Sequence, residues 1–161
     1  MTTQTELRIL TTLRSMKALQ GMETAHLKKL AALASEVKFA QDQIIYREGD
    51  LGDAIYFIID GQVIIEMTVP DVSNPVPMYP VGPGELFGWS ALFPPRRKQA
   101  RARAVVPTQV IAVNAAHLRE AFVADQGLEN AIIQRVTEVI AERMASTRLQ
   151  LKHTFQSFGK A

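Results

Sequence analysis

Cysteine is missing from all 161 residues, which excludes disulfides, thiol nucleophiles and thiolate metal sites and leaves nothing that points to secretion. A dominant charge is missing too. Eighteen Lys and Arg stand against sixteen Asp and Glu, and a formal +2 is too small to imply a nucleic-acid or membrane partner by itself. No apolar run approaches the roughly 20 residues that a membrane span needs. The opening MTTQTELRILTTLRS is too polar for a signal peptide, so the cytoplasm is the expected compartment. Histidine is scarce: His26, His117 and His153 lie far apart on helical stretches, each read as exposed or satisfied, and they form no convergent metal set. Gly82-Pro83-Gly84 is not followed by Gly-Lys-Ser/Thr, and no nucleophile pairs with a base. The expectation is therefore no catalysis, no metal and no cofactor.

At 47% hydrophobic the chain can still bury a core, and one domain with helical extensions is the natural organisation. Glu6, Leu7, Leu10, Leu13 and Arg14 have helical spacing, and Thr24 is positioned to cap a second helix carrying Leu27, Leu30, Ala31 and Leu33. From Val37 the period changes. Segments 44–46, 55–59 and 63–69 are short β-rich runs parted by Gly49, Gly52 and Gly61, and Asp60-Gly61 between two of them signals a hairpin. Segment 70–80 holds four of the eight prolines and reads as a loop. Strands over 99–106 and 109–113 would close a barrel, after which everything is helical, so the class is α+β.

From Asp125 to His153 there is no proline and only one glycine, Gly127, which predicts a helix about 40 Å long. Ile133, Val136, Ile140, Met144, Thr147, Leu151 and Phe155 recur at steps of three and four, a narrow apolar seam with Glu138, Glu142, Arg143 and Lys152 outside it. Its first two turns are expected to fold onto the barrel. The remainder outlasts that support and predicts a two-fold homodimer.

The segment 81–104, VGPGELFGWSALFPPRRKQARARA, has the layout of a phosphate cradle: a glycine-punctuated turn, a one-turn helix and a basic strand. Gly82, Gly84 and Gly88 let the backbone approach a ligand, and the apolar run from Trp89 to Phe93 begins a helix whose first N–H groups have no internal partners. Such a start attracts anions. Arg96, Arg97, Lys98, Arg101 and Arg103 follow closely enough to meet the same anion from the other side. A plain turn-helix-strand connector with a solvated basic face is the competing account.

FGWSALF followed by a basic strand resembles the phosphate-binding cassette of cyclic nucleotide-binding domains, roughly F-G-E-x-A-L-(x)n-R-x-A-x-V. Segment 44–65, IIYREGDLGDAIYFIIDGQVII, is similar to that family's early strands, and 110–122, VIAVNAAHLREAF, to its last barrel strand and next helix. The resemblance implies an antiparallel β-roll (a jelly-roll or cupin-like barrel) with N-terminal helices and a long C-terminal helix. The divisions expected are 1–18 as a helical extension, 19–125 as the roll and 126–161 as a dimerisation or lid helix. It also implies a ligand site of Phe87, Gly88, Trp89, Ser90, Ala91, Arg97, Lys98, Gln99 and Ala100, with cyclic AMP or cyclic GMP as possible ligand. Aligned through Arg143-Met144-Ala145-Ser146-Thr147, Thr147 and Arg148 take the place of the family's purine contact.

The chain departs from the pattern at its chemical centre. The family glutamate that accepts a hydrogen bond from the ribose 2′-hydroxyl is replaced by Trp89, whose indole has one donor and no acceptor. Glu85 lies outside the motif and reads as a solvated turn residue. The family arginine aligns with Lys98, preceded by Arg97, and only one of two consecutive strand residues points inward. Two accounts follow. In one, a cyclic nucleotide or other phosphorylated compound binds with Arg97 or Lys98 on its anion and Trp89 stacked on a ring. The helix, hinged near 125–128, then signals to a protein partner. In the other, Trp89 fills the pocket and the chain is a degenerate dimerisation or docking module. Residues 154–161 are too few for a recognition helix, so direct nucleic-acid binding is not expected.

Overall fold

The apolar runs AIYFII and VIAV lie in strands buried on both faces, which is why they read as continuous rather than alternating hydrophobic sequence. In the computed structural model, which describes residues 3–159, they are β3 (Ala54–Asp60) and β8 (Thr108–Asn114). One antiparallel sheet has the order β1-β8-β3-β6, with β1 at Ala34–Phe39 and β6 at Leu86–Phe87. The facing sheet runs β2-β7-β4-β5, from Ile44–Tyr46, Arg101–Ala104, Val63–Met67 and Val76–Val81. Tyr56, Ile58, Val110 and Ala112 point into the roll to meet Val63, Ile65, Val81 and Ala102. The alternate residues Ile55, Phe57, Ile111 and Val113 face a second core built by helices. The β-roll with its helical layer is the fold expected.

Four helices supply that layer: α1 (Gln4–Arg14), α2 (Thr24–Ala32), α3 (Ala115–Ala124) and α4 (Gln126–Gly159). Thr3 caps α1 by accepting the Glu6 N–H at 3.1 Å, and Asn114 caps α3 through His117 N–H at 2.8 Å. The cap expected at Thr24 is displaced: Glu23 holds that position, Thr24 is the first helical residue, and its hydroxyl accepts from Arg14 instead. Asp125 separates α3 from α4, accepting Leu128 N–H at 3.1 Å while ion-pairing with Lys29 of α2. The Lys29 bond first, then the Leu128 N–H, hold its carboxyl below the usual carboxylate range.

The hairpin expected at Asp60-Gly61 does not form. β3 and β4 lie in different sheets, so the turn is a corner at which the chain crosses the roll. Gly61 has φ +105°, and a Cβ there would lie 2.4 Å from Thr108 Oγ1. Thr108 joins this corner to the β7–β8 corner by accepting Gln62 N–H and donating to Val106 O at 2.8 Å. The proline-rich segment is also more ordered than a loop, since its second half is β5, which carries Pro77 and Pro80. It pairs only with β4, and an edge strand tolerates residues without an N–H. β7 is shorter than expected at Arg101–Ala104.

Gly52 serves another close approach. A Cβ there would lie 2.7 Å from both Cα and Cβ of Ala91, so the 49–52 loop can press onto the turn after β6 only without a side chain. Gly52→Ala should lower the unfolding free energy by about 1–3 kcal/mol. Urea denaturation checks this as a lower midpoint at unchanged m-value.

Candidate functional site

β6 is followed by Gly88, whose left-handed φ of +84° turns the chain into a 3-10 turn at Trp89–Leu92. Space as well as angle requires glycine: a Cβ would stand 3.1 Å from Tyr56 Cδ2 and 3.2 Å from Ala54 O. The turn is held from behind. Arg119 of α3 donates to Ala91 O at 2.7 Å, and Leu92 enters the helical core. The following segment is clamped to the 49–52 loop by Gly49 N–H to Lys98 O (2.8 Å), Lys98 N–H to Asp50 O (2.9 Å) and Gly52 N–H to Arg96 O (2.7 Å). That clamp decides which basic residue points inward.

It is Lys98, 4% exposed. Its ammonium donates to Gly88 O at 2.9 Å and lies 4.3 Å from the centre of the Tyr46 ring. Burial lowers its pKa to about 8, and the charge of Asp53 opposes that shift. Arg97 points out, exposed, and donates to Gly49 O at 3.0 Å, so it braces the loop. Arg101 and Arg103, grouped with the anion cluster on sequence grounds, stand on the outer face of β7 and are already paired. Buried Glu66 takes Arg101 at 2.8 Å and Arg103 at 2.7 Å, and Asp42 takes Arg103 at 2.9 Å. Of the five nominal cations Lys98 alone lines the cavity beside the turn, while Arg96 is half-buried with its Nε making no hydrogen bond.

Lys98 lines a cavity of about 230 Å³ with Gly88, Trp89, Ser90, Gln99 and Ala100 from the cassette. The opposite walls are Tyr46, Ile65, Met67, Met78 and Tyr79. Trp89 is half-buried, packed against the helical core on one side and bordering the cavity on the other, so the indole is a wall and space remains beside it. Phe87 and Ala91 do not line this space. Both are fully buried, Phe87 stacked on Tyr56 at 4.9 Å between ring centres. Burial raises the phenol pKa values of Tyr46 and Tyr79, and burial followed by Asp53 pushes Tyr56 up to about 12, so all three remain O–H donors at neutral pH.

Thr147 and Arg148 lie on exposed α4 surface and do not border the cavity. The residue of α4 nearest to it in role is Arg143, whose guanidinium sits 4.2 Å over the Tyr79 ring and reaches Glu85 at 3.5 Å. Glu85 is consequently not a solvated turn residue: it also accepts Gly82 N–H at 2.9 Å. Sequence reasoning missed Tyr46, Met78, Tyr79 and Arg143. Tyr46 carried a signal, as an aromatic ending an apolar run, but Arg143 had been placed outside the seam. Among the described residues no group of three or more His, Asp or Glu could hold a metal, and no helix is long and apolar enough to cross a membrane.

A family model described as the cyclic nucleotide-binding domain matches residues 36–125, more than half of the chain. A CRP-like cAMP-activated global transcriptional regulator of Mycobacterium tuberculosis is 26% identical over 132 residues, covering 82% of this chain and 57% of the relative. The chain therefore spans little more than half of that protein's length. The N-terminal domain of a transcriptional regulator from Streptomyces coelicolor is 26% identical with a TM-score of 0.67, covering 81% of this chain and 93% of that one. A cyclic nucleotide-binding domain from Methylobacillus flagellatus, at 19% identity, shares the fold with a TM-score of 0.75 over 90% of this chain and 81% of that one.

The lowered Lys98 pKa has a definite sign. Between about pH 8 and 10.5 the unfolded lysine binds a proton that the folded one has released, so stability rises with pH across that window and is flat below it. Relative to Lys98→Met, the wild type should gain about 2 kcal/mol between pH 7 and pH 9.5. Paired urea titrations at the two pH values measure it.

Proposed function

The chain belongs to the cyclic nucleotide-binding domain family, and from that premise we propose that it is a regulatory module, not an enzyme, that binds a small anion in the Lys98 cavity and reports it through α4. The supporting observation is Lys98 itself: a buried ammonium with, among the described residues, no carboxylate in salt-bridge contact, lining the space beside a cassette turn. Stability alone would favour an apolar residue there. Trp89 and Ser90, the first residues of the turn, line the same space as Lys98.

The route outward is short. Trp89 packs on the cluster that contains Leu128, Ile132 and Val136 of α4, Arg119 ties the turn to α3, and Arg143 lays α4 over Tyr79. A ligand that moved the indole or Tyr79 would act on α4 directly, and its differential affinity for two α4 poses sets how far the equilibrium moves. Asp125, capping α4 and held by Lys29, is the pivot. Beyond Arg143 the helix leaves the roll: Met144, Leu151 and Phe155, spaced to share one face, are 54–70% exposed. That face suits the same helix of a second copy, and a cyclic nucleotide or other phosphorylated compound is within the chemistry of the site.

Titration calorimetry with cyclic AMP, cyclic GMP and inorganic phosphate, read in parallel by Trp89 fluorescence, tests the module. Lys98→Gln should weaken binding at least a hundredfold, while Arg97→Gln should change it less than threefold. Equal losses for both would remove Lys98 from its role. For the helix pair, Leu151→Glu with Phe155→Glu should convert a dimer to a monomer in sedimentation analysis without loss of helical circular dichroism.

A further inference from the structure

The wall chemistry of the cavity narrows its ligand. Resting on the reading that Lys98 anchors an anion, we infer that the preferred ligand is a small aromatic monoanion lacking ribose-type hydroxyls, and that cyclic nucleotides are disfavoured. The donors are plentiful: the Lys98 ammonium, the Tyr46 and Tyr79 phenols and the indole N–H all border the space or belong to residues that do. No aspartate or glutamate does, among the described residues. The other polar side chains of the lining, Ser90 and Gln99, are neutral, so a ligand with an anionic end and carbon elsewhere suits the walls. A ribose 2′-hydroxyl placed against Trp89 would meet a donor and no carboxylate, and so would forgo the charge-assisted hydrogen bond that a glutamate there would supply.

Three further observations agree. Lysine offers one compact charge where arginine offers a two-pronged fork, so a single anionic oxygen is sufficient and a doubly contacted phosphate is not required. The volume of about 230 Å³ lies below the roughly 300–1,000 Å³ of sites for drug-sized ligands, and a single aromatic ring fits within it. The remaining walls include Ile65, Met67 and Met78, which are apolar, and the methionines can adapt to an aromatic edge.

The test uses the intact chain at pH 7 and four probes: phenylacetate, its neutral counterpart 2-phenylethanol, cyclic AMP and inorganic phosphate, each followed by calorimetry and Trp89 fluorescence. Phenylacetate should bind at least tenfold more tightly than 2-phenylethanol and than cyclic AMP, and Lys98→Gln should abolish the first of these preferences. Trp89→Glu, checked for folding by circular dichroism, should reverse the second, losing phenylacetate and gaining cyclic AMP. If cyclic AMP or phosphate binds the wild type more tightly than phenylacetate and depends on Lys98, the ligand class is overturned while the anion-binding module stands. If no probe binds in a Lys98-dependent way at millimolar concentration, both readings fall.

Discussion

A single ammonium, that of Lys98, stands where the two sheets, the 49–52 loop and the turn after β6 meet, and its placement constrains everything around it. To bury the charge the chain supplies a carbonyl from Gly88 and a ring face from Tyr46, neither of which is an ion. That choice leaves the charge only partly compensated, which is why burial draws its pKa down rather than a carboxylate driving it up. Glu66 of β4 shows the opposite solution. Its carboxylate, equally buried, is closed by two arginines and presents nothing to a ligand. One buried charge is thus closed by ion pairs and the other is held by a carbonyl and a ring beside open space.

The glycines of the loop and turn belong to the same constraint. Gly52 admits the loop against Ala91, and Gly88 supplies the left-handed turn whose carbonyl receives the ammonium. Each removes a side chain so that backbone groups can do the polar work at close range. The resulting clamp also fixes the parity of the segment, with Arg97 out and Lys98 in.

Much of the fold was legible because the apolar periodicity of β3, β8, α1 and α2 is strong, and because the cassette pattern places the turn. The hairpin at Asp60-Gly61 was misread for a physical reason: turn residues report that a chain reverses, not which sheet the next strand joins. The prolines of β5 hid an edge strand, since a residue without an N–H costs nothing where no neighbour needs it. At the site, charge counting gave five candidate cations. Separating them required partners that are distant in sequence, Glu66 and Asp42 for two of them and the 49–52 loop for a third.

Trp89 joins these arguments to function. A carboxylate in its place would accept from a ligand and could stop there, its influence confined to the hydrogen bond. The indole instead spans the boundary, one side on the cavity and the other on the core that carries α4. Close-packed cores transmit displacement because they have few voids to absorb it. The substitution that removes the ribose acceptor therefore also adds mechanical contact with the helix, so a change of ligand preference and a tighter link to α4 would arise from the same side chain.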